Sequence, residues 1–263
     1  MLEIRLYEIY DYVTLFLIAE SNITLSGKPK PFYLKQNWQR LAPYHAKIRR
    51  VEVNLMANTN ITANPWRNEN TMRDEGIRLG VPNSTKDFLL LTSDIDEIPK
   101  IRFMQTLASC ERPLPFESLL LQCDFYYYSF EFLLGRGNSW AGGTVSRFNS
   151  HTKIPSELRK ARAGYRPVSG ACFHCSYCFD SIAGVRQKLG SFSHTELDIP
   201  KFRDKQHIID RFRNGKDLFD RGGGPIHRVN KNQIELPQLL QREPERFMYM
   251  LNRSFPNAGF RDA

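Results

Sequence analysis

The chain has 263 residues, enough for one sizeable α/β domain or at most two small ones, and its 41% hydrophobic content makes it globular rather than disordered. No apolar run approaches the ~20 residues of a membrane span, and no basic and apolar leader opens the chain. The formal charge of +9 suits an anionic ligand, but the Lys and Arg residues are scattered and form no block, which argues against a nucleic-acid-binding arm.

Met1 opens directly into an amphipathic pattern, with Leu2, Leu6, Ile9 and Val13 apolar and Glu3, Arg5, Glu8 and Asp11 polar. This reads as a helix already inside a fold, which predicts a missing N-terminal piece. Leu15–Ala19 and Ile48–Val53 read as buried strands. Asn64 and Pro65 supply a cap and a first-turn proline for a helix over Trp66–Leu79, stopped at Gly80. Asp87–Thr92 is the clearest buried strand, because Phe88, Leu89, Leu90 and Leu91 run without interruption. A helix follows from Pro99, then a strand over Ser118–Cys123 and the aromatic run Phe125–Tyr128. Residues 135–170, rich in Gly, Arg and Ser, read as loops with short strands. Ser181–Ser191, Lys205–Asn214 and Pro244–Asn252 read as helices, and Gly222–Gly224 as a flexible break. Strands alternating with helices predict α/β architecture with a mainly parallel central sheet. No repeat or boundary divides residues 1–263, so one catalytic-sized domain is expected.

The chemistry concentrates in Ser93-Asp94-Ile95-Asp96-Glu97, directly after the most apolar strand. Ligands of open α/β sheets bind beyond the carboxyl ends of strands. Carboxylates at i and i+2 leave a strand on the same side and would repel each other in a partly dry site. A divalent cation relieves that repulsion, and Mg²⁺ or Mn²⁺ shares such oxygen ligands with substrate phosphates. The competing reading is a solvated acidic turn that caps the helix near Pro99.

The surrounding residues resemble a known family. Asp94-Ile95-Asp96-Glu97-Ile98-Pro99 is similar to the D-x-D-E-I-P segment of glycosyltransferase family 17. That family includes the β-1,4-mannosyl-glycoprotein N-acetylglucosaminyltransferase that makes bisected N-glycans. Further segments match in order: Met1–Tyr12 with Glu20-Ser21-Asn22 and Gly27-Lys28-Pro29-Lys30-Pro31; Trp66-Arg67-Asn68-Glu69 with Arg73; His174-Cys175-Ser176-Tyr177-Cys178-Phe179; and Lys188-Leu189 with Ser191-Phe192-Ser193-His194-Thr195-Glu196. Two departures stand out. Cys172-Phe173 replaces the family's common Gly-Trp, and the Ser193-His194-Thr195-Glu196 run sets the chain nearer to microbial or lower-eukaryote members than to the mammalian bisecting enzyme.

The resemblance implies a GT-A-type fold and inverting transfer from UDP-N-acetylglucosamine with Mn²⁺ or Mg²⁺. It implies a glycan or glycoprotein acceptor, with the β-mannose of an N-glycan core as one acceptor. Asp94 and Asp96 are then the metal and diphosphate ligands, and Glu20, Ser21 and Arg73 line the nucleotide side. His227, His174 and His194 compete to complete the metal shell, His227 ahead of His174; each is also an ordinary structural histidine. Glu196 is the candidate base, with His194 orienting it, against the rivals Asp198, Asp180 and Asp204 and against a plain solvated Glu. Nucleic acid is not an expected partner, and a membrane enters only through an anchor absent from this chain. Sequons begin at Asn22, Asn60, Asn83 and Asn252; with the eukaryotic relatives they imply the Golgi lumen, the cytoplasm being the alternative. A catalytically inactive glycan binder and a nucleic-acid-binding module are the other function classes.

Two smaller constellations remain. Cys172, Cys175 and Cys178 surround His174 at zinc-like spacing, but no second ligand pair accompanies them, so buried thiols with at most one disulfide are expected from the odd count of five cysteines. Trp66, Trp140 and Tyr126–Tyr128 form either a stacking wall for a base or sugar, or core packing.

Overall fold

The computed structural model describes residues 1–57, 64, 66–81, 88–110, 116–135, 139–149, 153–222 and 226–263. The expected sequons at Asn60 and Asn83, the helix-opening Pro65, Asp87 at the start of the apolar strand, and most of the Gly222–Gly224 break lie outside them.

Nine strands are described: β1 (Phe16–Glu20), β2 (Ile48–Glu52), β3 (Phe88–Thr92), β4 (Glu97–Pro99), β5 (Ser118–Tyr127), β6 (Phe132–Leu134), β7 (Trp140–Phe148), β8 (Arg166–Ser176) and β9 (Ile226–Arg228). β1 and β2 pair in parallel as a sheet of two. The other seven form one sheet, in which only β5 and β8 run parallel; β3–β7, β5–β7, β4–β8, β5–β6 and β6–β9 are antiparallel.

This overturns the expected GT-A-type fold with its central, mostly parallel sheet. The reason lies in the connections. Parallel neighbours need a crossover of a dozen or more residues, usually a helix. Only residues 128–131 separate β5 from its antiparallel neighbour β6, and no helix lies between β5 and its neighbour β7 among the described residues. The stretch expected to be loops supplies the nine-residue β7, the Pro155–Ala161 helix and the start of β8. β3 is an edge strand paired only with β7, not a central one.

Several local expectations stand. The opening helix is Leu2–Ile9, the helix after Trp66 is Arg67–Gly80, and Lys205–Asn214 keeps its expected bounds. The last expected helix shrinks to Met248–Leu251, preceded by Gln238–Arg242. The Arg67–Gly80 helix lies close on β1, where an added Cβ at Gly76 would meet the Ala19 Cβ at 3.1 Å. Tyr126, Tyr127 and Tyr128 are buried core residues, and Tyr127 also lines the cleft. Two disulfides are present, Cys123–Cys172 between β5 and β8 and Cys175–Cys178, with Cys110 free. The expectation of at most one is corrected, and no thiolate remains in that run for zinc. No described helix is long and apolar enough to cross a membrane.

Candidate functional site

The carboxyl ends of β1, β3, β5 and β8 and the start of β7 open on one cleft of about 2460 Å³. Asp94 and Asp96 line it, in a turn rather than on a continuing strand. The turn is closed by its own hydrogen bonds: the Glu97 N–H donates to the Asp94 carbonyl at 3.1 Å, and the Asp94 N–H donates to the Glu97 side-chain Oε2 at 3.0 Å.

Each acid meets a cation. Arg73 Nη2 donates to Asp94 Oδ1 at 2.5 Å and Arg159 Nη2 to Asp94 Oδ2 at 2.8 Å. Arg159 also grips Glu97 with both terminal nitrogens, at 2.7 and 2.9 Å, and donates to the Gly142 carbonyl at 2.7 Å. Glu97 is fully buried, and Trp140 Nε1 supplies a further donor at 2.7 Å. Burial and the Asp94 charge push the Glu97 carboxyl up. Arg159 and Trp140 counter them, and since every contact to its oxygens is donated, Glu97 stands as the carboxylate. Burial opposes the Arg159 charge, yet the bond to Glu97 raises it above its ordinary value. Arg5, from the opening helix, donates to the Glu97 carbonyl at 2.6 Å. Burial pushes Arg5 down to about 10.

The scaffold that aims these groups is specific. The Pro155–Ala161 helix carries Arg159, and Asp74 of the Arg67–Gly80 helix accepts from Ser156 N–H at 2.8 Å and its hydroxyl at 2.7 Å, docking the two helices. Gly143 of β7 sits so close to the end of β3 that an added Cβ would fall 2.5 Å from the Ser93 Cβ and 2.8 Å from the Thr92 carbonyl. Only glycine lets β7 approach the acidic turn there.

Asp96 faces a different set. Lys188 Nζ lies 3.1 Å from Oδ2, and His174 Nδ1 lies 3.8 Å from Oδ1. Burial works against the Asp96 charge, but Lys188, His174 and a backbone N–H together outweigh it and the carboxyl is held down at about 2. Burial pushes the His174 imidazole down to about 4, so it is neutral at physiological pH. Its Nδ1 is buried with no hydrogen-bond partner among the described residues. Cross-strand register fixes its place: His174 stands opposite Glu97 on β4 and opposite Phe125 on β5.

The other expected residues divide. Glu20 lines the cleft but its oxygens accept from the Leu34 and Lys35 N–H groups at 2.6 and 3.3 Å, and the Ser21 hydroxyl accepts from the Ile23 N–H at 3.1 Å. Both therefore also shape the loop after β1. His194 Nδ1 and Glu196 Oε1 lie 2.8 Å apart, exposed on the cleft wall, where the His194 ring meets Trp66 edge-on at 5.0 Å. The Glu196 carboxyl is held below its ordinary range by its own backbone N–H and then by His194. Of its rivals, Asp204 caps the Lys205–Asn214 helix, Asp198 pairs with Arg203 and Lys28, and Asp180 pairs with Arg261; none of the three lines the cleft. His227 is on β9, exposed and away from the cleft lining.

Sequence reasoning missed Glu97, Arg159, Lys188 and Arg5 as site members. Arg5 and Arg159 carry no local signal, since each reaches the turn across a long stretch of chain. Lys188 stood in a quoted motif and drew no role.

Among the described residues no three His, Cys, Asp or Glu side chains converge as a ready metal cage. The neighbouring Asp96 and His174 could supply two donors. That pair fits a cation that takes its remaining ligands from substrate phosphates and water.

A family model described as Glycosyltransferase family 17 matches residues 1–254. No curated protein and no solved structure matches the chain.

Proposed function

Since the chain belongs to glycosyltransferase family 17 and is a glycosyltransferase, acting on a sugar donor and an acceptor, we propose that it moves N-acetylglucosamine from UDP-N-acetylglucosamine to a glycan, with inversion, at the Asp94–Asp96 turn. The observation that carries this reading is the pairing of that turn with Arg73, Arg159 and Lys188 at the wall of one large cleft. Cations fixed in advance favour the negative charge that gathers on a departing diphosphate. Lys188 is the freest of them, with one carboxylate partner and partial exposure.

Mn²⁺ or Mg²⁺ would be held by Asp96 and the neutral His174, whose Nδ1 lacks another partner. When bound, such an ion neutralises charge on the diphosphate. Asp94, its oxygens engaged by two guanidinium groups, keeps Arg73 and Arg159 aimed at the cleft and offers its exposed edge to the nucleotide, beside Glu20 and Ser21. In the transfer, the acceptor hydroxyl attacks the anomeric carbon, the bond to the diphosphate oxygen breaks, and UDP leaves with the electron pair. Glu196 takes the hydroxyl proton, and His194 orients it. Its lowered pKa keeps Glu196 ionised and so able to accept. The same reading puts the chain in the Golgi lumen: its two disulfides are of the kind that persist in oxidising compartments.

Thermal-shift titration tests the donor. UDP with Mn²⁺ should raise the melting temperature through ligand linkage, more than ADP or phosphate does and more than UDP with EDTA does. Equal shifts from all four contradict the assignment.

A further inference from the structure

Trp140 is held in a way that core packing does not explain. The indole is 36% exposed, yet both its edge and one face are fixed. Its Nε1–H is tied at 2.7 Å to Glu97, a carboxylate with no exposed surface. Its ring lies nearly parallel to His174 (centroids 4.7 Å apart, 15°) and to Phe125 (5.4 Å, 15°), which are themselves parallel at 4.7 Å and 14°. Strand register sets this arrangement, with Trp140 of β7 opposite Cys123 of β5 and His174 of β8 opposite Phe125. The remaining surface of the indole lines the cleft beside the acidic turn.

We propose that Trp140 is the stacking platform for a pyranose ring of the acceptor glycan. This rests on the reading of the cleft as the transfer site. A sugar ring presents C–H bonds on its faces and hydroxyls on its rim, so it needs a flat apolar surface with polar groups around it. The indole supplies the surface. Arg221, half exposed, lines the same cleft and serves the rim. Fixing the ring beforehand removes the ordering cost that a loose side chain would impose on binding.

The platform belongs to the acceptor rather than to uracil by its place. Trp140 stands on the wall made by β5, β7 and β8, whereas Glu20 and Ser21 end β1 of the small sheet. Backed by His174, which faces Asp96, it adjoins the point where the transferred sugar would sit.

The test is calorimetric titration of the whole chain with two probes: UDP, and the N-glycan core pentasaccharide of three mannoses and two N-acetylglucosamines. Trp140→Leu removes the aromatic face and keeps an apolar side chain; Trp140→Phe keeps a smaller aromatic face and loses the bond to Glu97. Trp140→Leu should weaken pentasaccharide binding about tenfold or more, Trp140→Phe should restore most of it, and UDP affinity should fall by much less than glycan affinity in the Leu variant. Equal pentasaccharide affinities in the Leu and Phe variants, a loss of UDP binding parallel to that of the glycan, or a wild type that binds no pentasaccharide would each overturn the platform. A wild type that binds the pentasaccharide but not UDP leaves the platform standing and sinks the donor assignment instead.

Discussion

The acidic turn and the His194–Glu196 loop face one cleft and hold their carboxylates in opposite ways. Asp94 and Glu97 are clamped by Arg73, Arg159, Trp140 and their own backbone. Among the described residues Glu196 has one side-chain partner, His194, and it stands open to solvent. A chain of contacts joins them: Ser193 donates to Glu69 Oε2 at 2.9 Å, and Glu69 Oε1 accepts from Arg73 at 2.7 Å. Charge that must stay in place through donor binding is built into the fold. A group that trades a proton with an acceptor has to remain accessible, and its contacts contribute little to stability. Function and stability should therefore separate cleanly between the two regions.

The largest expected effect is on the clamp. Arg159→Met leaves Glu97 buried without its cation, and removal of one partner of such a pair costs about 3–5 kcal/mol. Urea unfolding should show that loss, and transfer activity should vanish with it. A variant as stable as the wild type would mean that Glu97 needs no counter-charge, and the comparison would fail on its structural side.

Glu196→Gln is the complementary change. It keeps shape and removes basicity, so turnover should fall roughly 10²–10⁴-fold while the melting temperature and donor affinity hold. Near-normal turnover would move the base away from the loop. A drop in stability instead would show that the loop is not the loosely held partner described.

A smaller, pH-dependent effect sharpens the division within the turn itself. Burial holds the folded His174 at about 4, against about 6.5 in an unfolded chain. Between those values the unfolded state binds the extra proton, so stability declines as pH falls from about 6.5 to about 4 and this site adds no further loss below that. The full difference is about 3 kcal/mol. The Asp96 contribution, held at about 2, is lost only in the more acidic window below about 4, so the two do not overlap above that pH. Urea midpoints at pH 7 and pH 5 in EDTA should converge in His174→Asn and differ in the wild type. Parallel behaviour of the two proteins would remove His174 as the source.

The same comparison explains what could be read in the sequence. The acidic turn announced itself because Phe88–Leu91 form an uninterrupted apolar run that stops at Ser93. The helices over Arg67–Gly80 and Lys205–Asn214 carried their period and their stop signals. What closes the site did not. Arg159 lies in a stretch whose Gly, Arg and Ser content mimics loop, and its partners are set by strand pairing 62 and 65 residues back along the chain. Gly142 and Gly143 look like strand breakers, yet β7 needs them to pass the Cys123–Cys172 disulfide and the end of β3. The mostly parallel sheet was misjudged because local periodicity marks a strand and says nothing of its direction. Connection length carries that information, and it is short between the paired strands β5 and β6.

The most direct test of the central claim, that the acidic turn is the donor site, is UDP binding to Asp96→Asn beside the wild type, each titrated in Mn²⁺ and in EDTA. The wild type should bind UDP more tightly in Mn²⁺ than in EDTA, and Asp96→Asn should lose that difference, because the substitution removes the charged oxygen ligand that faces His174. An Asp96→Asn protein that keeps the full metal-dependent gain would place the donor site elsewhere in the cleft.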